Sequence, residues 1–208
     1  MKKISAIIFD LGGVLLDLNQ DLTLRAFARL GMNLDEMDRH SSVFRDFETG
    51  RTNADHFRQT LQSLSKKTLS AEVIDHAWNA MLLDMPAERF SMLESLRKNF
   101  RVYLLSNTNS IHVDCLHAYM EKEHNITNWR GLFDKVYYSH EIGRRKPNKD
   151  VYEYVLADTG CKAGECLFID DSKPNLHGAE QLGICTMWAT KPLCPDMYKS
   201  IMNHCTPA

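Results

Sequence analysis

The 208-residue chain has no run of roughly 20 apolar residues, so nothing in it has the length of a membrane-spanning helix. Blocks of five or more like charges are also missing. The 25 Lys and Arg stand against 27 Asp and Glu, a formal net charge of −2, which leaves no electrostatic footprint for nucleic acid or an anionic membrane. Six cysteines (Cys115, Cys161, Cys166, Cys185, Cys194, Cys205) form no CxxC pair, and nine histidines show neither HExxH nor zinc-like spacing. These absences disfavour a disulfide scaffold and a zinc site, and a reduced, cytoplasmic protein is the simplest expectation. Glycine (10) and proline (6) are too sparse for a collagen-like or low-complexity chain. Met1-Lys2-Lys3 followed by Ile4 to Phe9 imitates the opening of a signal peptide, but Asp10 and Gly12-Gly13 break the apolar run and no small-residue cleavage site follows.

What is present fits one compact domain with a small insert. Apolar residues make up 44% of the chain. At this length folding removes roughly 70% of the unfolded chain's surface from water, enough for a core without staples. Five short apolar runs read as strands: Ile4 to Phe9, Arg101 to Leu105, Lys135 to Tyr138, Cys166 to Ile169 and Cys185 to Trp188. Between the later ones, Phe90, Leu93, Leu96 and Phe100, then Val151, Tyr154 and Val155, recur at helical spacing. Alternating strand and helix predicts an α/β fold, a doubly wound parallel sheet with helices on both faces.

Residues 16–86 depart from this alternation. Their apolar residues recur at helical intervals (Leu22, Phe27, Leu30; Phe57, Leu61, Leu64; Val73, Ala77, Trp78), which predicts a helical insertion after the first strand. Thr52 followed by Asp55 suggests a helix start, and Pro86 suits the first turn of the next helix. Eleven acidic and eight basic residues there exclude a basic arm.

Four segments carry chemistry. Asp10 ends the first strand and precedes Leu11-Gly12-Gly13, which places its carboxylate at the C-terminal edge of a parallel sheet, where such folds bind ligands. Taken alone, an Asp before Gly-Gly serves equally as a turn. Ser106-Asn107-Thr108-Asn109 opens a helix after its strand, either an anion-binding end or an ordinary cap. Lys146, held next to Pro147, suits charge compensation at a phosphoryl group or simple solvation. Asp170-Asp171 follows the fourth strand, and adjacent carboxylates repel unless a cation or proton relieves them. With Asp10 they would make a hard oxygen site suited to Mg²⁺, the alternative being two solvated loop carboxylates.

In combination, Ile7-Ile8-Phe9-Asp10, Leu104-Leu105-Ser106-Asn107, Arg145-Lys146-Pro147 and Phe168-Ile169-Asp170-Asp171, in this order, resemble the haloacid dehalogenase-like hydrolase superfamily. Phe9 to Val14, Leu105 to Asn109 and Arg145-Lys146-Pro147 look most similar to the group of bacterial α-D-glucose-1-phosphate phosphatase and the soluble epoxide hydrolase phosphatase domain. The resemblance implies a Rossmann-like core of residues 1–15 and 87–208 and a small helical cap of residues 16–86. It implies Asp10 as the nucleophile that forms an aspartyl-phosphate, and Ser106 and Asn107 holding phosphoryl oxygens. Lys146 would neutralise charge shared with the phosphoryl group. Mg²⁺ would be held by Asp10, the carbonyl of Gly12 and Asp171, with Asp170 assisting directly or through water. The expected partner is a small phosphorylated metabolite, with no nucleic acid and no membrane.

The second residue after the nucleophile is usually an Asp that protonates the leaving oxygen, whereas here it is Gly12. General acid–base help worth about a hundredfold would be lost. A good leaving group, as in a sugar 1-phosphate, a proton from the cap or substrate, or a different chemistry such as C–P cleavage would each account for the change. Dehalogenation is disfavoured because it needs no metal. A cap lysine serves C–P cleavage, and the sequence does not put Lys66 or Lys67 at the site. The turn-like segment Phe44 to Arg51, with Arg45, Glu48 and Arg51, is the candidate cap loop facing the substrate, and Asp17 reads as a hinge or capping residue. The competing class is a catalytically silent domain that binds phosphometabolites or a protein.

Overall fold

A computed structural model describes residues 2–32 and 41–207; residues 33–40 of the expected insertion lie outside the described residues. The opening apolar run divides at Ser5. Its first part, β1 (Lys2–Ile4), pairs in parallel with β7 (Cys205–Pro207) from the other end of the chain. Its second part, β2 (Ala6–Phe9), enters the main sheet. Ser5 keeps the ladder continuous, its N–H donating to the Glu165 carbonyl and its carbonyl accepting from Arg101 N–H.

The chain then leaves the sheet for α1 (Gln20–Arg29), α2 (Ser41–Glu48), α3 (Ala54–Ser63) and α4 (Ala71–Asn79). Asn19, Asn53 and Ser70 cap α1, α3 and α4 with their side-chain oxygens. The second helix start therefore falls at Asn53 rather than Thr52, because it is the Asn53 oxygen that reaches His56 N–H at 2.9 Å. Phe27, Phe47, Phe57, Leu61, Ile74 and Trp78 bury their side chains together, against Ile111 of the sheet body. The entering and leaving segments run side by side: Asp17 N–H donates to Asp84 carbonyl, Leu83 N–H to Asp17 carbonyl, and Asn19 N–H to Met81 carbonyl.

The second half alternates as the apolar runs predict. It runs through α5 (Ala87–Arg97), β3 (Arg101–Ser106), α6 (Ser110–His124), β4 (Lys135–Tyr138), α7 (Ser139–Ile142), α8 (Lys149–Thr159), β5 (Cys166–Asp170), α9 (Lys173–Glu180), β6 (Cys185–Trp188) and α10 (Pro195–His204). Five strands lie in the order β4-β3-β2-β5-β6, every pair parallel. The period of two splits each central strand between two cores. Ile7, Phe9, Val102, Leu104, Leu167 and Ile169 face α5, α6 and α10, while Ala6, Ile8, Tyr103, Leu105, Cys166 and Phe168 face α8 and α9. Burial on both faces is what a parallel sheet requires. The C-terminal stretch packs on the core through Met197 and Ile201 of α10. Among the described residues no helix is long and apolar enough to cross a membrane.

Candidate active site

Parallel pairing brings the C-terminal ends of β2, β3 and β5 to one edge, and with them Asp10, Ser106 and Asp170. Asp10 follows β2 directly, its backbone N–H bonded to Ile169 carbonyl at 2.9 Å and its Oδ1 accepting from Leu11 N–H at 2.7 Å. The loop after it folds tightly, with Leu15 and Leu16 N–H both donating to Leu11 carbonyl. Gly13 lies at φ 74°, a left-handed conformation that favours glycine, and a Cβ there would overlap Asp171 Oδ2. A Cβ on Gly12 would instead overlap Leu18 Cδ1.

Lys146 is 1% exposed and reaches two carboxylates, Asp10 Oδ1 at 2.8 Å and Asp170 Oδ2 at 2.7 Å. Its backbone is gripped by Asn107, which donates from Nδ2 to the Lys146 carbonyl and accepts at Oδ1 from the Lys146 N–H, both at 2.9 Å. The carboxamide expected to hold a phosphoryl oxygen is thus engaged in placing the lysine. Ser106 is buried at the end of β3, and Thr108 is fixed by Ser139, whose Oγ accepts from Thr108 N–H and donates to its carbonyl. Asn109 caps α6 by accepting from His112 N–H at 3.1 Å and also takes the Trp78 indole N–H at 3.3 Å. The cap reading of this segment thus holds at Asn109.

The adjacent carboxylates have unequal surroundings. Asp170 is fully buried and accepts from Lys146, from Ser172 N–H at 2.7 Å and from Asn175 Nδ2 at 3.0 Å. Asp171 is exposed, and one oxygen from each of Asp10, Asp170 and Asp171 falls within a 4.8 Å span. Burial pushes the Asp10 carboxyl up to about 7, with Lys146 opposing the rise and Asp170 adding to it. Asp171 is raised by partial burial and by Asp170. Burial pulls Lys146 down, but the two carboxylates more than offset it and hold the lysine above its ordinary value. Three carboxylates facing one ammonium leave an excess of negative charge, so this all-oxygen set fits a hard cation.

Of Arg45, Glu48 and Arg51, Glu48 lines the cavity beside Gly12, while the two arginines lie on the surface and the segment is largely helical rather than turn-like. Phe44 to Glu48 belongs to α2 and only the following residues turn, because Val43 and Phe47 bury one helical face while the Thr49-Gly50 turn signal lies just beyond it. Glu48 lines a cavity shared with Gly12, Ser106, Asn107 and Thr108 and pairs with Arg145 at 3.0 Å; burial raises its carboxyl, with Arg145 offsetting. Arg45 is exposed, and Arg51 pairs with Asp46 on the surface. Asp17 pairs with Arg89 at 2.8 Å. Sequence reasoning missed Asn175, and it missed Arg89, which donates to the carbonyls of Leu15 and Leu193 and so clamps the loop that follows Asp10. No local spacing signals either residue, since each acts on backbone or side chains set by the tertiary fold.

A sesquiterpene phosphatase of Aspergillus oryzae is 28% identical over 194 residues, covering 92% of this chain and 93% of that protein. D-ribitol-5-phosphate phosphatase of Bacteroides thetaiotaomicron is 30% identical over 190 residues, covering 88% and 90%. The crystal structure of a haloacid dehalogenase family enzyme of B. thetaiotaomicron, in complex with magnesium and inorganic phosphate, matches with a TM-score of 0.81 at 33% identity, covering 89% of this chain and 93% of that one. A family model for haloacid dehalogenase-like hydrolases matches residues 4–183. On sequence, fold and motif order together, the chain belongs to the haloacid dehalogenase-like hydrolases.

Proposed function

We propose that this hydrolase is a Mg²⁺-dependent phosphatase of a small phosphate monoester, acting through an aspartyl-phosphate on Asp10. The observation that carries the reading is Asp10 at the sheet edge, bonded to a buried lysine and within reach of two further carboxylates. A carboxylate attacks a phosphate dianion only where positive charge masks their repulsion. Asp10, Asp171 and the Gly12 carbonyl would hold the ion, with Asp170 assisting; when bound it supplies charge compensation for the transferring phosphoryl group.

The chain's own groups do the rest. Asp10 forms the bond to phosphorus as the bond to the leaving oxygen breaks and its electron pair departs with the alcohol. Water then attacks phosphorus, and phosphate leaves with the carboxylate restored. Lys146 neutralises charge shared by Asp10 and the phosphoryl oxygens, Ser106 holds a phosphoryl oxygen, and Asn107 contributes by fixing Lys146. Residues 16–86 act as a cap on a core of 1–15 and 87–208, their two linkers paired at Asp17 and Asp84. Closing such a cap excludes water from the site.

The motif resemblance favours a sugar phosphate, and D-ribitol-5-phosphate as a relative's substrate supports a polyol; the A. oryzae relative is a phosphatase of a terpene. What these substrates share is the phosphoryl group. No lysine lines the cavity beside Gly12 among the described residues, and Lys66 and Lys67 are exposed beyond α3, which disfavours C–P cleavage assisted by lysine. The test is phosphate release from a panel of monoesters with and without Mg²⁺. Metal-dependent release by the native chain, abolished in a folded Asp10→Asn variant, is expected; release that survives Asp10→Asn overturns the mechanism, and binding of monoesters without release favours the silent binding domain.

A further inference from the structure

On the phosphatase reading, on which this inference rests, the cavity beside Asp10 is the space that receives the alcohol half of the substrate. It measures about 470 Å³ and extends from Gly12 and Ser106 to α1, α2 and α4. That is the size range of small-ligand sites. Leu18, Leu24, Phe27, Phe44, Trp78 and Met81 supply much of its wall.

Of the polar side chains on that wall, Thr23, Glu48 and His112 are already engaged within the fold. Thr23 Oγ1 donates to the Trp78 carbonyl at 2.9 Å and accepts from Met81 N–H at 3.1 Å. Glu48 is paired with Arg145, and His112 Nδ1 is bonded to Asn79 Oδ1 at 2.8 Å. Gln20 stands exposed. A polyol entering this space would strip water from its hydroxyls and set them against alkyl and aromatic groups, and each unmade hydrogen bond counts against binding. An apolar group would only gain by leaving water.

Leu18 adds an independent observation. Its Cδ1 fills the space into which any side chain at position 12 would project. Position 12 thus carries no acid, and Leu18 takes the space its Cβ would need. The leaving oxygen has to depart with its electron pair and without a proton from this position, which suits a weakly basic alcohol such as a phenol, whose pKa is about 10.

We propose that the substrate is a phosphate monoester of an apolar, weakly basic alcohol, with aryl phosphates the simplest members. Asp10 bonds to phosphorus, the P–O(aryl) bond breaks with its electron pair leaving on the aryl oxygen, and water then hydrolyses the aspartyl-phosphate to inorganic phosphate.

The experiment separates the pocket from the chemistry by using the Mg²⁺-loaded protein and two kinds of probe. Acetyl phosphate, whose two-carbon acyl group needs little of the cavity, reports on the catalytic groups. Binding of 1-naphthylmethylphosphonate against methylphosphonate and a polyol phosphonate, by calorimetry, reports on the walls whether or not turnover occurs. The naphthyl compound is expected to bind more than tenfold tighter than either competitor, and Leu24→Gln, on the exposed side of α1, is expected to weaken it at least threefold. Equal binding of the three, or preference for the polyol, overturns the proposal even if acetyl phosphate is hydrolysed. Failure to hydrolyse acetyl phosphate overturns the phosphatase reading and leaves the binding ratios to decide the cavity.

Discussion

Lys146 donates to Asp10 across 2.8 Å from a position that is 1% exposed. The same ammonium serves Asp170, so one cation compensates two buried carboxylates, and its removal leaves both without charge compensation. Lys146→Met keeps the side chain's bulk and removes the charge. Since Lys146 holds the Asp10 pKa down, the variant should shift Asp10 further toward the protonated, non-nucleophilic form. Phosphate release is expected to fall by about a hundredfold or more, and stability by about 3 kcal/mol, read from steady-state rates and urea unfolding. Activity within tenfold of the native chain would show that the lysine is not part of the chemistry.

Gly13 and Asp171 define the tightest approach at the proposed metal site. A methyl group on Gly13 would overlap Asp171 Oδ2, and the backbone there sits at φ 74°. Gly13→Ala should therefore displace the carboxylate as well as strain the loop by about 1 kcal/mol. The expected result is at least a tenfold rise in the Mg²⁺ concentration needed for half-maximal activity, with the far-UV spectrum unchanged. An unaltered metal requirement would remove Asp171 from the ligand set.

The chain's strand-end carboxylates were legible because each follows a short apolar run whose period and length identify a buried strand, and parallel pairing then fixes which end they share. Asp10 after Ile7-Ile8-Phe9 and Asp170 after Phe168-Ile169 are of this kind. The role of Asn107 was not legible, because its carboxamide grips the backbone of a residue 39 positions away. Arg89 is similar, reaching Leu15 and Leu193 from a helix whose sequence shows only apolar residues at helical spacing. The short β1–β7 pair escaped notice because Lys2 to Ile4 and Cys205 to Pro207 carry no alternation long enough to read.

Position 12 offers a direct test of the missing proton donor. Leu18 Cδ1 obstructs a side chain there, but it is the free end of a flexible group and can turn aside. Gly12→Asp is expected to speed release from aliphatic monoesters such as ribitol 5-phosphate relative to aryl phosphates, and Gly12→Asp with Leu18→Ala to do so by about tenfold or more, as general acid help returns. The readout is the dependence of kcat/KM on the basicity of the leaving alcohol, which should flatten. The same steep dependence in native and double-variant enzymes would mean that a proton reaches the leaving oxygen by another route.

His112 links the helical layer to the sheet body and makes that contact sensitive to acid. Its ring stacks on Trp78 of α4 with centroids 4.7 Å apart, its Nδ1 bonds Asn79, and Asn109 accepts its backbone N–H. Burial pulls its pKa from 6.5 down to about 3. The unfolded chain therefore takes up a proton between those values that the folded chain refuses. The stabilisation from the neutral ring is complete above pH 6.5 and is lost progressively as pH falls toward 3, amounting to about 2 kcal/mol by pH 5. His112→Gln, which keeps a group able to bond Asn79, should remove that part of the acid sensitivity. Urea unfolding at pH 7 and pH 5 should show a pH difference smaller by about 2 kcal/mol in the variant than in the native chain. An identical difference would mean that the His112 imidazole titrates alike in the folded and the unfolded chain, so that burial against Trp78 does not hold it neutral.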